Sequence, residues 1–443
     1  MQMKKHVMFV SLPLRGHANQ MIALAQELVV RGYQVSFVIS EEAKEWIANT
    51  GAIFIPWEPK IETTNENFSD TTQSVWQRVC QEPKIWRGER MMLNGLIERY
   101  VPMYKTLVPI FQQHRPDLLV IDRAVIPAMD LAQQMNLPYI IQTRFLGNFV
   151  KTSSKYPRFG TAYSINMNLW QRCLNFLEPY WLLPQFLPTL KKLNQVRRQC
   201  LERKKLDDPF SKRPMIVGTA FGIEIPRPLP PHVQMVGPIF PKTLEPLSPS
   251  LSKWLEEGEE NTGVVYIAFG TLATLEPWQA KALVEGLTDT RFRVLWSLPK
   301  SQQQILPSLP SSFRIEHFVS QQAVLSHRAV RSFVSHCSPN GINEALYWEK
   351  PILALPFFGD QHYFATRVVD LGVALKLDKN HFDSAEVRRK IEALLSIPSY
   401  KDATRQMSVA LKNTGGLDKA ADIVETTLAA GITKFTPHFR GRS

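Results

Sequence analysis

His17 and Asp122 are the residues of this sequence best suited to moving a proton together. His17 follows the short apolar run "HVMFV" through "SLPLRGH", and Asp122 closes the run "DLLVID". Each run reads as a buried strand, and ligands of a parallel α/β sheet bind outside the carboxyl ends of its strands. If both strands belong to one sheet, the two side chains emerge at the same edge. A carboxylate beside an imidazole fixes the tautomer whose other nitrogen accepts a proton, here from a hydroxyl. A lone histidine is more often structural than catalytic, but its placement opposite a strand-end carboxylate favours the chemical reading.

The second half of the chain supplies groups suited to anions and hydroxyls. "AFGTL" ends a strand at Gly270 and Thr271, where glycine lets backbone N–H groups approach an oxyanion. "SHCSPNG" leads from the strand "SFV" into the helical pattern "INEALYW". His336, Ser338, Asn340 and Gly341 would then stand at a helix N-terminus, whose free N–H groups and positive dipole end suit a phosphate. A capped helix, with Ser338 or Asn340 as cap, accounts for that stretch taken alone equally well. Glu344 lies one turn further on, where a carboxylate can hold vicinal ribose hydroxyls. Asp360 and Gln361 follow "PILALPFFG" at another strand end, a carboxylate beside an amide of the kind that holds sugar hydroxyls. The order is phosphate, ribose, sugar, and it implies a nucleotide-sugar. "LDDPF", with Asp207 and Asp208, sits before a proline in a polar loop and reads as a turn rather than a metal site.

These groups need a scaffold that gathers strand ends. The first 40 residues read as strand, loop, helix and strand: "HVMFV", "SLPLRGHAN", "QMIALAQELVVR", "QVSFVI". "DLLVID", "IPAMDLAQQM" and "PYIIQ" repeat the order. "PRPLPPHVQMVGPIFPKTLEPLSPS" is too rich in proline to sustain helix, and a second alternating series runs from "VVYIAF" to "PILALPF". The pattern predicts an α/β protein of two Rossmann-like, doubly wound lobes facing across a cleft. The boundaries fall at 1–235 for the first lobe, 236–262 for a proline-rich linker, 263–415 for the second lobe and 416–443 for a C-terminal helix and tail.

Composition narrows the classes. A chain of 443 residues with 44% hydrophobic and 21% charged residues is globular and long enough for two cores. No apolar run approaches the roughly 20 residues of a membrane span. The four cysteines (Cys80, Cys173, Cys200, Cys337) form no C-x-x-C pair, which favours a reducing cytoplasm over a disulfide or metal framework. The net charge of +12 is spread along the chain without a nucleic-acid-binding signature, and a basic surface for anionic small molecules or lipid headgroups fits it as well. Residues 160–205 fit neither series. "LWQRCLNFLEPYWLLPQFLPTL" is aromatic-rich and "KKLNQVRRQCLERKK" is basic. They read as a helical excursion on the first lobe. A sharper alternative is an acceptor pocket or a membrane-touching face with Trp170, Phe176, Trp181 and Phe186 in its lining.

The stretch "FVSQQAVLSHRAVRSFVSHCSPNGINEALYWEKPILALPFFGDQ" resembles, without gaps, the donor-binding signature of the UDP-dependent glycosyltransferases of GT-B fold. "RGHANQMIALAQELVVRGYQVSFV" resembles the family's N-terminal acceptor motif, "IPRPLPPHVQMVGPIF" the approach to its linker, and "VVYIAFGTL" its phosphate loop. The resemblance implies that His17 is the general base, oriented by Asp122. It implies that Phe318 stacks on uracil with Gln321 near the base or ribose, and that Thr271, His336, Asn340 and Gly341 hold the diphosphate, with Gly270 and Ser338 also in the donor site. Glu344 would hold the ribose, and Asp360 and Gln361 the sugar. The implied reaction is a metal-independent, inverting transfer of a hexose, glucose above others, from a UDP-sugar co-substrate to a hydroxyl of a lipophilic small molecule, with no cofactor. A catalytically inactive nucleotide-sugar or lipid-binding protein on the same fold is the alternative. The last helix would pack back on the first lobe. Departures from the family pattern are Phe318 in place of tryptophan, Cys337, Ser338 and Pro339 in the loop after His336, Phe364 in place of asparagine, and Gln20 in place of a helix-start proline.

Overall fold

The computed structural model describes residues 4–59, 78–82, 84–150, 152–261, 263–288 and 290–431. The first lobe is built from β1 (His6–Val10), α1 (Arg15–Val30), β2 (Gln34–Ile39), β3 (Ile53–Pro56), α2 (Ile85–His114), β4 (Leu118–Asp122), α3 (Ile126–Gln134), β5 (Tyr139–Thr143), α4 (Leu169–Leu201), β6 (Met215–Val217) and β7 (Val233–Met235). Its strands pair in parallel in the order β3-β2-β1-β4-β5-β6-β7. Side chains alternate across a strand, so Met8 and Val10 enter one core and Val7 and Phe9 the other. Both faces of the sheet are therefore covered, which is why these strands read as continuous apolar runs.

The second lobe contains α5 (Pro249–Asn261), β8 (Val264–Ala268), α6 (Pro277–Leu287), β9 (Arg293–Ser297), β10 (Phe313–Glu316), α7 (Gln321–Ser326), β11 (Val330–Ser335), α8 (Pro339–Tyr347), β12 (Ile352–Ala354), α9 (Asp360–Asp370), β13 (Ala374–Lys376), α10 (Ser384–Ser396) and α11 (Pro398–Lys412). Its parallel order is β10-β9-β8-β11-β12-β13. In each sheet the order turns back beside the first strand, at β1/β4 and at β8/β11. Those reversals open crevices at the strand ends, and His17, Asp122, Gly270 and His336 all follow or end one of these four strands. The final helix, α12 (Gly416–Ala430), returns to the first lobe. Leu417, Ala420 and Val424 share a core with α1, and Arg31, the C-cap of α1, donates to Asp422 at 2.6 Å and Glu425 at 2.7 Å. The tail beyond residue 431 lies outside the described residues.

Two local readings change, and the helical reading of the aromatic and basic segment holds. Helix α1 begins at Arg15, so His17 sits in its first turn rather than in a loop; Pro13 is the last breaker before it. The stretch 236–262 is not linker throughout, because Pro249 starts α5 at the position where a missing N–H costs nothing. Leu251 and Leu255 of that helix enter the second core. Residues 169–201 form one long helix despite Pro179, Pro184 and Pro188, started by an Asn168–Gln171 capping box.

That helix, α4, is inverted in character. Its buried residues are Asn175, Thr189, Arg197 and Leu201, mostly polar. Asn175 secures the 154–158 turn, accepting from Arg158 N at 2.9 Å and donating to Tyr156 O at 2.9 Å. Arg197 makes a bidentate pair with Asp130 on α3, both bonds 2.7 Å, and Tyr100 on α2 donates to the same carboxylate at 2.6 Å. Removing one partner of such a buried pair leaves an uncompensated charge. We expect Arg197→Ala to cost about 3–5 kcal/mol, read as a drop in urea midpoint. An unchanged midpoint would show that α4 is held by other contacts.

Candidate active site

Between the lobes lies a cavity of about 820 Å³, lined from one side by His17, Met92 and Arg144 and from the other by Thr271, Phe318 and Asp360. That volume lies in the range of small-molecule ligand pockets. His17 Nδ1 is 2.7 Å from Asp122 Oδ2, and Ala124 N donates to Asp122 Oδ1 at 3.1 Å. On the other side, Arg144 Nη2 is 3.2 Å from His17 Nε2. A guanidinium only donates, so Nε2 must accept and Nδ1 must carry the proton given to Asp122. The contacts alone therefore select the tautomer a general base requires.

Electrostatics keep this histidine neutral. Burial holds His17 below the ordinary histidine value, Arg144 lowers it further, and Asp122 offsets part of both. Burial pushes the Asp122 carboxyl up, but attraction to His17, the bond between them and the charge of Arg144 outweigh it and keep it ionised. Arg123, next in sequence, stacks its guanidinium 3.9 Å from the Phe145 ring centroid. Burial first, then the charge of Arg144, brings Arg123 down to about 10. Glu89 also lines the cavity, and burial followed by repulsion from Asp360 raises it to about 7.

The second-lobe wall is arranged for a polar ligand, although several groups are already engaged. Gly270 adopts φ +71°, and a Cβ there would stand 3.1 Å from His336 Nε2. Burial lowers His336 to about 4, against a backbone hydrogen bond at Ala268 that raises it, so the ring is neutral. Ser338 is the N-cap of α8, its Oγ accepting from Gly341 N at 3.3 Å. Pro339 has no N–H, so the helix start offers fewer free donors than its sequence suggested. Asn340 reaches across the cleft: its Nδ2 donates to Gly16 O at 2.9 Å, and its Oδ1 accepts from Gln20 at 3.1 Å. Glu344 accepts from both Gln321 and Gln322, while burial raises it to about 6. Gln361 Oε1 accepts from Phe357 N at 2.9 Å, which leaves its amide N–H groups for a ligand. Phe318 is 56% exposed at the rim, with the Arg15 guanidinium 5.3 Å from its ring and 4.1 Å from that of Trp46 in the first lobe.

The structure thus gathers His17, Gly270, Thr271, Phe318, Gln321, His336, Ser338, Asn340, Gly341, Glu344, Asp360 and Gln361 on one cavity, with Asp122 directly behind His17. It does not bring Trp170, Phe176, Trp181 or Phe186 there. The first three are exposed and Phe186 is half-buried, because α4 turns its polar face inward. Asp207 and Asp208 are in a turn, with Asp208 accepting from Phe210 N. Among the described residues no group of three potential metal ligands forms. Sequence reading missed Arg123, Arg144, Glu89 and Gln20. Arg123 and Arg144 directly follow the strands β4 and β5, so the strand-end rule that selected Asp122 could have found them. Gln20 stands out in sequence only as a departure from a helix-start proline; it accepts from Gln142 at 2.7 Å and donates to Asn340 at 3.1 Å.

Comparison with known proteins agrees with this geometry. The family described as "UDP-glucoronosyl and UDP-glucosyl transferase" matches residues 8–428. "UDP-glycosyltransferase 1" of Phaeomoniella chlamydospora is 30% identical over 368 residues, 77% of this chain and 74% of that protein. "UDP-glucuronosyltransferase 2B17" of Homo sapiens is 25% identical over 422 residues, 88% of this chain and 78% of that one. Among solved structures, the glycotransferase of kitacinnamycin superposes with a TM-score of 0.69 at 20% identity, covering 96% of this chain and 99% of that one. The shared fold is the two-lobed GT-B arrangement.

The charges around His17 give a test with two opposite signs. In His-labelled protein, with His17→Gln for assignment, the His17 resonance is expected to titrate below 6.5. Arg144→Gln removes a repelling cation and moves that midpoint up; Asp122→Asn removes the attracting anion and moves it down. Shifts in the reverse sense would contradict the arrangement.

Proposed function

Because the chain belongs to the UDP-glucoronosyl and UDP-glucosyl transferase family, and is a glycosyltransferase that uses a UDP-sugar, we propose that it moves a hexose, glucose, to a hydroxyl of a lipophilic small molecule with inversion. The observation that carries the reading is His17, hydrogen-bonded through Nδ1 to Asp122 at 2.7 Å and opening on the cavity that Asp360, Gln361 and Glu344 also line. The acceptor hydroxyl gives its proton to Nε2 as its oxygen bonds the anomeric carbon. The bond from that carbon to the diphosphate breaks, with the electron pair leaving on phosphate. Attack from the side opposite the leaving group inverts the centre. Asp122 stabilises the imidazolium, and the Gly270–Thr271 loop with the His336 N–H meets the leaving charge without a metal. Phe318 would stack on the base and Glu344 hold the ribose. Leu14, Leu96, Met92 and Phe159 give the first-lobe end of the cavity an apolar wall, which supports a lipophilic acceptor.

Calorimetric titration with UDP, UDP-glucose and dTDP-glucose tests the donor, and His336→Ala is expected to weaken every binding isotherm. His17→Ala is expected to retain donor binding while turnover falls on the order of 10²–10⁴-fold. Binding without turnover in the unsubstituted protein would convert the reading to a nucleotide-sugar-binding protein. No binding would overturn it.

We also propose that the protein works in the cytoplasm and rests peripherally on anionic membrane. No helix among the described residues is long and apolar enough to cross one. On α4, Leu169, Cys173, Phe176, Tyr180, Leu183, Leu187 and Leu190 follow a four-three spacing along one face, and all are exposed. Trp170 and Trp181 flank that stripe, and residues 169–205 carry eight Lys or Arg against two Glu. Aromatic and basic residues around an apolar stripe suit a lipid interface, whereas a second copy would bring like charge to like. In flotation assays, vesicles containing phosphatidylglycerol are expected to carry the protein and phosphatidylcholine vesicles not. The triple variant Trp170→Ser, Tyr180→Ser, Trp181→Ser is expected to stay behind. A dimer that this variant dissociates would instead assign the stripe to a second copy.

A further inference from the structure

Arg123 and Arg144 are two guanidiniums on the first-lobe side of the cleft that pair with no carboxylate among the described residues. Both line the cavity. Among the described residues, neither lies within ion-pair distance of an acidic group, although buried arginines elsewhere in this chain are paired, as Arg197 with Asp130 and Arg227 with Glu224. Arg123 Nε is buried without a hydrogen-bond partner. Of the acids near Arg123, Asp122 is engaged with His17 and Ala124 and Glu224 with Arg227 and Leu146, while Asp360 and Glu89 on the same cavity act on Arg123 beyond ion-pair distance. Phe145 supports Arg123 from one side, and the Arg144 guanidinium lies 6.0 Å from the same ring. Two guanidiniums held close on one wall, with the Arg123 Nε donor unpartnered, suit an anionic group.

Arg144 adds a second constraint. Its Nη1 donates to Gly16 O at 3.0 Å, and its Nη2 covers His17 Nε2, the atom to which an acceptor hydroxyl must give its proton. A neutral acceptor would have to displace that donor with only an uncharged oxygen to offer in exchange. A carboxylate accepts from a guanidinium far more strongly than a neutral imidazole does.

We propose that Arg123 and Arg144 form a carboxylate subsite, and that the acceptor is a hydroxy acid with an apolar body. Resting on the glycosyltransferase reading above, this narrows its acceptor class. The acceptor carboxylate draws Arg144 off Nε2, and the exposed lone pair then meets the hydroxyl of the same molecule. The proton passes to Nε2, the oxygen bonds the anomeric carbon and the diphosphate leaves with its electron pair. The same chemistry on the donor, a uronic acid, is the other source of a carboxylate. The contact of Arg144 with the acceptor's own proton acceptor favours the acceptor.

The test uses matched acceptors that differ in one charge, 4-hydroxybenzoate against 4-hydroxybenzamide and salicylate against salicylamide, each with UDP-glucose and with UDP-glucuronate. With UDP-glucose the acids are expected to exceed the amides in kcat/KM on the order of tenfold or more. Arg123→Gln and Arg144→Gln are expected to bring that ratio near one, and Arg123→Lys, which keeps the charge, to restore part of it. A purely structural role for Arg123 would lower both acceptors alike and would overturn the assignment. A preference for charge that follows UDP-glucuronate instead would place the carboxylate on the donor and overturn the acceptor class. Calorimetric titration with the four compounds reads the subsite without turnover. Acids that bind more tightly than amides, and lose that advantage in the double Gln variant, support it even if no sugar is transferred. Equal binding of acid and amide by the unsubstituted protein rules it out.

Discussion

Parallel pairing of β1 with β4, and of β8 with β11, is the constraint on which the site depends. Each pairing joins strands distant in sequence and places a reversal of strand order at the middle of a sheet. A parallel strand cannot return by a hairpin, so the chain must leave each strand's carboxyl end over a helix. At a reversal the two departing connections run to opposite sides and leave the edge between them open. Asp122 and His17 occupy that edge in one lobe, Gly270 and His336 in the other. The 2.7 Å contact between His17 and Asp122, 105 residues apart, follows from β-sheet topology rather than from any local motif.

The interface between the lobes divides into a polar and an apolar part. Facing the cleft, Asn340 bonds to Gly16 and Gln20, contacts whose net worth is about 1 kcal/mol each. Behind it, Phe145 and Phe159 of the first lobe meet Tyr363 and Phe364 of α9, with Phe145 and Phe364 centroids 5.6 Å apart and Phe159 and Tyr363 5.0 Å apart. Aromatic burial of this kind resists separation, whereas the polar contacts exchange readily with water or ligand. Phe364, fully buried, thus serves the interface. A residue that departs from the family's asparagine as a lost polar contact is, in the fold, part of the aromatic lock between lobes.

Much of this was legible because strand ends carry both the fold signal and the chemistry. Alternating apolar runs located the strands, and the residues that follow them were the candidates. Two kinds of information were not available from sequence. One is occupancy: Ser338 and Gly341 satisfy each other as a cap, and Asn340 is spent on the other lobe, which only assembled backbone reveals. The other is which face of a helix is inward. Apolar stripes normally mark the core side, and on α4 that rule places Trp170, Phe176, Trp181 and Phe186 where the protein instead puts Asn175, Thr189 and Arg197. Buried polar residues with specific partners outweighed the apolar stripe. Arg197 has a buried carboxylate to neutralise and Asn175 a turn to hold, and neither partner is near in sequence.

The arginines beside His17 show why a neutral base here needs more than burial. Desolvation alone keeps an imidazole uncharged, but it also weakens its capacity to accept a proton when the moment comes. Asp122 supplies the compensating charge from behind, bonded to Nδ1 and held below the ordinary carboxylate range by its own partners. Arg144 acts from the front, disfavouring the imidazolium until something removes it. His17 is held between Asp122, fixed at the end of a buried strand, and Arg144, which reaches in from the loop after β5. In the proposed reading an anion that engages Arg144 would raise the proton affinity of His17, and ligand binding and base activation would be coupled.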